Sequence, residues 1–224
     1  MALGASFGTA WSNFGAFLIV ALVLSLPSLL LDLSAAHQTV SGIVNALTIA
    51  AMTSCGIHGA IRAMAGEKID ASSMLSRLSR PEYWMLVVLC TIENIAIGVG
   101  MIFLLVPGFI LLAMWIAAAP VMLVEHLGII DSLKRSTELT KGSRWTAVST
   151  VVAASLLCLA GLVAVAATIY VVIGLDTSRF FAALINWALG GVFIAFLAPL
   201  QAVIYVLQRQ EKEGVAVADM ARQL

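Results

Sequence analysis

Residues 145–173 read WTAVSTVVAASLLCLAGLVAVAATIYVVI and contain no charged side chain. The hydrocarbon core of a bilayer is about 30 Å thick, and a helix needs about 20 mostly apolar residues to cross it. Backbone groups find no water in hydrocarbon, so a run of this kind forms a helix rather than a strand. This stretch therefore predicts a membrane-spanning helix, and it gives the scale for interpreting the rest of the chain.

Apolar runs of similar length fill most of the sequence. The 224 residues are 62% hydrophobic and 11% charged, whereas a soluble domain carries about 25% charged residues. We predict an all-α, polytopic membrane protein that forms one domain over residues 1–224 and leaves no room for a separate soluble domain. Its six transmembrane helices are predicted at about residues 14–33, 40–63, 83–105, 109–124, 145–173 and 180–207.

The basic residues alternate from loop to loop. Of the 12 lysines and arginines, all but Arg179 fall in the segments 62–80, 134–144 and 209–222. Positive charge marks the cytoplasmic side of a multi-pass protein. The pattern predicts both termini in the cytoplasm, with Trp11, Trp84 and Trp145 as anchors at the cytoplasmic interface.

Two of these loops are predicted to contain amphipathic surface helices. In residues 129–141, apolar and charged side chains alternate at roughly helical spacing, and Gly142 is suited to end that helix as its C′ residue. Residues 72–78 show a weaker version of the pattern. On the opposite side, residues 105–108 predict a tight turn that joins spans three and four into a hairpin.

One ionisable residue, Glu93, is predicted close to the middle of the membrane. A charge there is costly, so a carboxyl at this depth suggests an intramembrane polar site. Its predicted partners on spans two and three are Asn94, Asn45, Thr48 and His58. The alternative interpretation is structural: a protonated Glu93 joins helices through hydrogen bonds.

The sequence predicts no catalytic residue, no metal site and no cofactor. His37, His58 and His126 are far apart in the predicted topology, and the three cysteines lack a CxxC spacing. Pro27, Pro120 and Pro199 fall inside spans and predict kinks. Small residues on one face of span five predict close helix packing, either within the bundle or between copies: Ala153, Ala160, Ala164 and Ala167.

Four basic side chains flank the predicted surface helix of residues 129–141. They are candidates for contacts with anionic lipid headgroups, although their main predicted role is to set topology: Lys134, Arg135, Lys141 and Arg144. Membrane lipids are therefore predicted partners, other membrane proteins or further copies of the chain are possible partners, and nucleic acid is not expected because the formal net charge is zero.

Residues 107–142 resemble a bacterial membrane-domain pattern. The pattern is a PG pair, an apolar run up to a proline, an acidic residue and then a surface helix with spaced Ser, Leu and Gly. The motif positions here are Pro107, Gly108, Pro120, Glu125, Ser136 and Gly142. The family includes YciC-like inner-membrane proteins and the membrane domain preceding some glycerophosphodiester phosphodiesterases. The resemblance implies this fold and a bacterial inner-membrane location, and it carries over no catalytic residue.

These features predict a non-enzymatic inner-membrane protein that acts as a scaffold or partner subunit in envelope organisation. The alternative is a small transporter or channel that uses the polar residues around Glu93. An intramembrane enzyme ranks last, because the sequence offers no nucleophile with a neighbouring base.

Overall fold

The computed structural model describes residues 13–34, 38–79, 81–103, 105–173 and 179–224. Within these ranges the regular structure is helical, without a strand. Six helical spans are long and apolar enough to cross a membrane, which confirms the predicted all-α, multi-pass class. Trp11, predicted as an interface anchor, lies outside the described residues.

The spans correspond closely to the six predicted segments. Span one is Phe14–Leu24 followed by Leu26–Leu33, span two is Gln38–Met64, span three is Pro81–Phe103, span four is Leu105–Trp115 followed by Ala118–Glu125, span five is Arg144–Ile173, and span six is Arg179–Glu213. The short helices are Ala71–Leu75 with the 3-10 turn Ser76–Ser79, the surface helix Ile129–Leu139, and the tail helix Val217–Arg222.

The loops rich in lysine and arginine share one end of the bundle, which we call the basic end. Spans two, four and six finish there, and spans three and five begin there. Lys212, at the end of span six, donates to the carbonyls of Glu138 and Lys141 beside the surface helix. Trp84 and Trp145 are both exposed at this end, the position of an interfacial anchor.

Span two forms the centre of the bundle, where it packs against spans one, three and six. At its closest approach to span six, a Cβ added to Gly56 would overlap the Cβ of Ala198. Gly59 similarly faces Phe17 of span one and Met74 of the short helix at the basic end. Gly56 lets the backbones of spans two and six approach closely, as small residues do between membrane helices, whereas Gly59 leaves room for the ends of the Phe17 and Met74 side chains.

Two of the three predicted proline kinks are present as breaks. Span one is interrupted at Ser25, whose hydroxyl donates to the Ala21 carbonyl at 2.8 Å, just before Pro27. Span four is interrupted at residues 116–117, before Pro120. Span six continues as one helix through Pro199, so the proline there does not interrupt the helix as the other two do.

Spans three and four form the predicted hairpin, but the connection differs from the predicted turn at residues 105–108. Span four begins at Leu105, so Pro107 and Gly108 lie in its first helical turn. Proline is favoured there because the first N–H groups of a helix have no internal partner. A Cβ added to Gly100 would lie 3.0 Å from the Cα of Gly108, so the two spans pack tightly at this end.

The surface helix has a different inner face from the one its apolar residues suggest. Ser132, Ser136 and Leu139 are buried, whereas Ile130 is 67% exposed. Gly142 has the predicted left-handed backbone, with φ of 96°. However, the helix ends at Leu139 and Thr140 is its C-cap, so the glycine falls one position later than predicted.

Span five lies at the periphery and packs against span six and the first half of span four. None of its membrane-spanning window is buried. The small residues predicted to form a packing face are all exposed: Ala153, Ala160, Ala164 and Ala167. Packing of this face inside the bundle, one of the two predicted options, is therefore not what the structure has.

Candidate functional site

Polar side chains concentrate at the basic end around Glu125, the last residue of span four. Arg135 of the surface helix donates from Nε to Glu125 Oε2 at 3.0 Å. The Tyr205 hydroxyl of span six donates to Glu125 Oε1 at 3.2 Å, and Arg209 Nε lies 3.8 Å from the same oxygen. One carboxylate thus joins span four, the surface helix and span six.

A second carboxylate, Glu213, completes a cluster of alternating charge. It accepts from Arg135 Nη2 and from Arg209 Nε, the latter at 3.2 Å. Burial alone lowers the pKa of the Arg135 guanidinium, but its hydrogen bonds to Glu213 and Glu125 outweigh this and hold the pKa above its usual value. Each arginine therefore sits between two carboxylates, and the four charges balance.

Ser136 hydrogen-bonds to backbone groups of span four at its break. Pro120 has no N–H, so the usual helical bond to the carbonyl four residues earlier is missing. Across the resulting break, Ser136 Oγ donates to the Met114 carbonyl at 2.8 Å and accepts from the Ala117 N–H at 3.3 Å. The surface helix is thereby joined to the middle of span four by a fully buried side chain.

Two basic side chains bind the carbonyls near the end of the surface helix. Lys212 Nζ donates to Lys141 O at 2.5 Å and to Glu138 O at 3.3 Å, while Arg144 Nη2 donates to Thr137 O at 3.0 Å. Positive charge is favourable here because the helix dipole leaves partial negative charge at the C-terminus.

The tail helix closes over the cluster. Met220 is fully buried, and the Gln223 carbonyl lies 2.7 Å from His126 Nε2. Arg209 Nη1 also reaches Gln223 Oε1 at 3.4 Å. We call the surface helix, the tail helix and the end of span six, joined by this cluster, the platform.

The four candidates for headgroup contact divide into two pairs. Arg135 and Arg144 are half-buried and hydrogen-bonded within the platform. Lys134 and Lys141 point outward and are exposed. The arginines are thus engaged in the fold, whereas contact of the two exposed lysines with lipid headgroups stays a prediction.

The five residues of the predicted polar site near mid-membrane are distributed over several places. Glu93 shares a helix face with the buried Leu86, Leu89 and Cys90, and its Oε1 is buried without a hydrogen-bond partner in the described part of the chain. Its neighbour Asn94 is exposed and donates to its own helix, at the Cys90 carbonyl, at 2.7 Å.

The other three predicted residues lie on span two. Asn45 is exposed and lines a groove of about 510 Å³ together with Asn94 and Thr91. Thr48 is buried beside a second, more apolar groove of about 350 Å³ that reaches Trp84. His58 is buried further toward the basic end. The structure thus places Asn45 and Asn94 in one groove and Thr48 in another, and Glu93 is not among the residues that line either groove.

Sequence reasoning missed the part of the platform contributed by span six. Tyr205, Arg209 and Glu213 follow one another at intervals of four residues, a spacing that places side chains on one helix face. That spacing was the available signal. No three histidine, cysteine or acidic side chains of the described residues are grouped as metal ligands.

Four of the six motif residues have a structural role in or beside the platform, whereas Pro107 and Gly108 lie at the other end of span four, in its hairpin with span three. Glu125 and Ser136 make its central contacts, Pro120 accounts for the break that Ser136 repairs, and Gly142 supplies the left-handed turn that follows. No curated protein and no solved structure matched the chain. A family described as the membrane domain of glycerophosphoryl diester phosphodiesterase matches residues 69–213, well over half of the chain. The chain therefore belongs to this membrane-domain family.

Proposed function

We propose that this protein is a non-enzymatic integral protein of the bacterial inner membrane that acts as a scaffold or partner subunit. The observation that supports this proposal is the platform. Its arginines and carboxylates bind one another, and they hold the surface helix against spans four and six. We infer that these charges keep the surface helix in a fixed position at the membrane surface.

The family description supports the same role. It names the membrane domain of an enzyme, as distinct from the part of the enzyme that carries out the reaction. We infer that a domain of this kind contributes by holding a partner at the bilayer. We infer that the present chain does so through the exposed face of the platform, which carries Asp131, Lys134, Glu138 and Lys141.

The proposed orientation has the basic end in the cytoplasm. Eleven of the 12 basic residues lie in segments that this orientation places inside, as expected for a multi-pass protein. Reporter fusions at Gly66 and Glu213 are expected to read as cytoplasmic, and a fusion at Ala36 as external. A periplasmic signal at Glu213 would contradict the whole arrangement.

The scaffold role is tested by purification from native membranes. We expect one protein to copurify in a fixed ratio with the wild type and to be lost with the charge reversal Lys134→Glu/Lys141→Glu. These lysines are exposed, so the bundle remains folded. Lys68→Glu, at an exposed lysine of the other basic loop, is the matched control and should retain the partner. Equal loss in both variants, or no partner at fixed ratio, would contradict the proposal.

One observation favours the transporter alternative. Glu93 Oε1 is buried without a hydrogen-bond partner in the described part of the chain, and ionisable groups within membrane spans often line ion or proton paths. Glu93→Gln preserves size and removes ionisation. Proteoliposomes in which a proton or cation flux is present with the wild type and absent with folded Glu93→Gln would replace the scaffold role by transport.

A further inference from the structure

The groove between spans two and three presents two amides to the lipid. Asn45 lies on one wall and Asn94 on the other, and both side chains are exposed. Thr91 lies between them, but its hydroxyl donates to the Val87 carbonyl of its own helix at 2.7 Å. Asn94 uses one N–H on the Cys90 carbonyl, which leaves its carbonyl oxygen and second N–H available. Asn45 makes no hydrogen bond to another described residue.

The groove lies deep in the membrane. Asn94 follows the interfacial Trp84 by ten residues of unbroken helix, which corresponds to a depth of about 15 Å. That depth is about half of a hydrocarbon core of about 30 Å. Headgroup and ester oxygens of a phospholipid are therefore too far away to bind these amides.

Amide groups that keep unused donors and acceptors at this depth need a polar partner. Acyl chains offer no hydrogen bond, and asparagine side chains in membrane helices associate with polar groups of other helices. The exposed alanines of span five need no polar partner, because lipid tails cover apolar side chains as well as a protein does. The amides of the groove, rather than the alanines of span five, thus identify the face that is covered by protein.

We propose that this groove is the contact between two copies of the chain. An asparagine amide both donates and accepts, so identical surfaces satisfy one another. In a two-fold symmetric dimer the same patch meets itself, which brings Asn45 of one copy toward Asn94 of the other. Gly42 in the groove wall adds no side chain and allows close approach. This proposal does not depend on the scaffold role.

Cysteine crosslinking in native membranes gives a direct test. Ile95 is 61% exposed at the groove, and Ala164 lies on the exposed small-residue face of span five. In a Cys158→Ala background, which removes the one cysteine that is not buried, oxidation should convert Ile95→Cys into a disulfide-linked homodimer. Ala164→Cys should remain monomeric under the same conditions.

Association strength gives the second measurement. With the full chain in lipid nanodiscs or vesicles, Asn45→Leu/Asn94→Leu should weaken self-association about 3- to 30-fold, the range expected for hydrogen bonds between membrane helices. Thr168→Leu is the control, because that exposed hydroxyl already donates to its own helix at the Ala164 carbonyl. It should leave association unchanged.

Three outcomes would overturn the proposal. They are a crosslink through Ala164→Cys instead of Ile95→Cys, a crosslink from Ile95→Cys to a protein of different mass, and a chain that stays monomeric at every lipid ratio. The crosslinking test does not use the leucine variant. It therefore still decides the proposal if the leucine variant fails to fold.

Discussion

At the basic end, Glu125 and Glu213 each contact two arginines. In the middle of span three, by contrast, Glu93 Oε1 is buried and has no hydrogen-bond partner among the described residues. Both regions are polar, and both lie in a chain that is mostly apolar. The difference is that one region completes its hydrogen bonds internally. Polar groups that are satisfied within the fold mainly stabilise it, while those left unsatisfied in hydrocarbon identify where something else is bound.

The largest expected effect is at the centre of the platform. Glu125→Gln leaves Arg135 and Arg209 competing for one remaining carboxylate. We expect a loss of about 2–3 kcal/mol in the free energy of unfolding, somewhat below the 3–5 of a fully buried pair. Denaturation in mixed micelles measures it.

The matched control is Asp219→Asn, which removes an exposed ion pair with Arg222 at 3.2 Å. Exposed pairs contribute little, so a change of no more than about 0.5 kcal/mol is expected. If the two variants lose similar stability, the platform is not the tightly held region described above.

The second prediction concerns the repair of span four. Ser136→Ala leaves the Met114 carbonyl and the Ala117 N–H without their side-chain partner. An unsatisfied buried group costs about 1–3 kcal/mol, and the same denaturation measurement applies. Ser149→Ala is the control, since that exposed hydroxyl donates only to the Thr146 carbonyl within its own span. A tolerant Ser136→Ala would mean that the break has other partners.

A smaller effect is expected from the exposed lysines. Lys134→Gln and Lys141→Gln should each weaken the attraction of anionic lipid by about 1 kcal/mol, without loss of bundle stability. Lipid enrichment around the purified protein, compared between anionic and zwitterionic mixtures, measures it. Arg135→Gln should show the reverse behaviour, with lower stability and little change in lipid enrichment.

The smallest expected effect is at Glu93. Because its buried Oε1 has no hydrogen-bond partner among the described residues, Glu93→Leu removes a desolvated polar atom rather than a bond. Such a replacement is close to neutral or slightly stabilising, within about 0.5 kcal/mol of the wild type. A loss of stability well above that value would indicate that Glu93 makes a hydrogen bond between helices, which is the structural interpretation predicted from the sequence.

The spans were predictable because hydrocarbon imposes both the length and the apolar composition of a helix. The proline breaks were predictable in part. Proline removes one helical bond, and whether the helix then breaks depends on neighbours that the sequence does not identify. Ser136 supplies such a neighbour beside Pro120, and span six runs through Pro199 unbroken.

The platform was not predictable as a unit, because hydropathy contains no information about which distant charges pair. Arg135 and Glu213 are far apart in sequence, and their contact depends on where the surface helix packs. By contrast, the separation of Glu93 from Asn94 follows from helix geometry, since neighbouring residues point about 100° apart. Grouping both into one site overlooked that rotation.

The unbroken helix of span six has a mechanical consequence. Its 35 residues extend about 50 Å, whereas the hydrocarbon core is about 30 Å thick. The excess length includes Lys212 and Glu213, which bind the surface helix at Glu138 O and Arg135. Span six therefore connects one face of the membrane to the platform on the other through a single continuous helix. Any tilt of this helix near Arg179 would have to be accommodated at the platform, since no break in the helix separates the two ends.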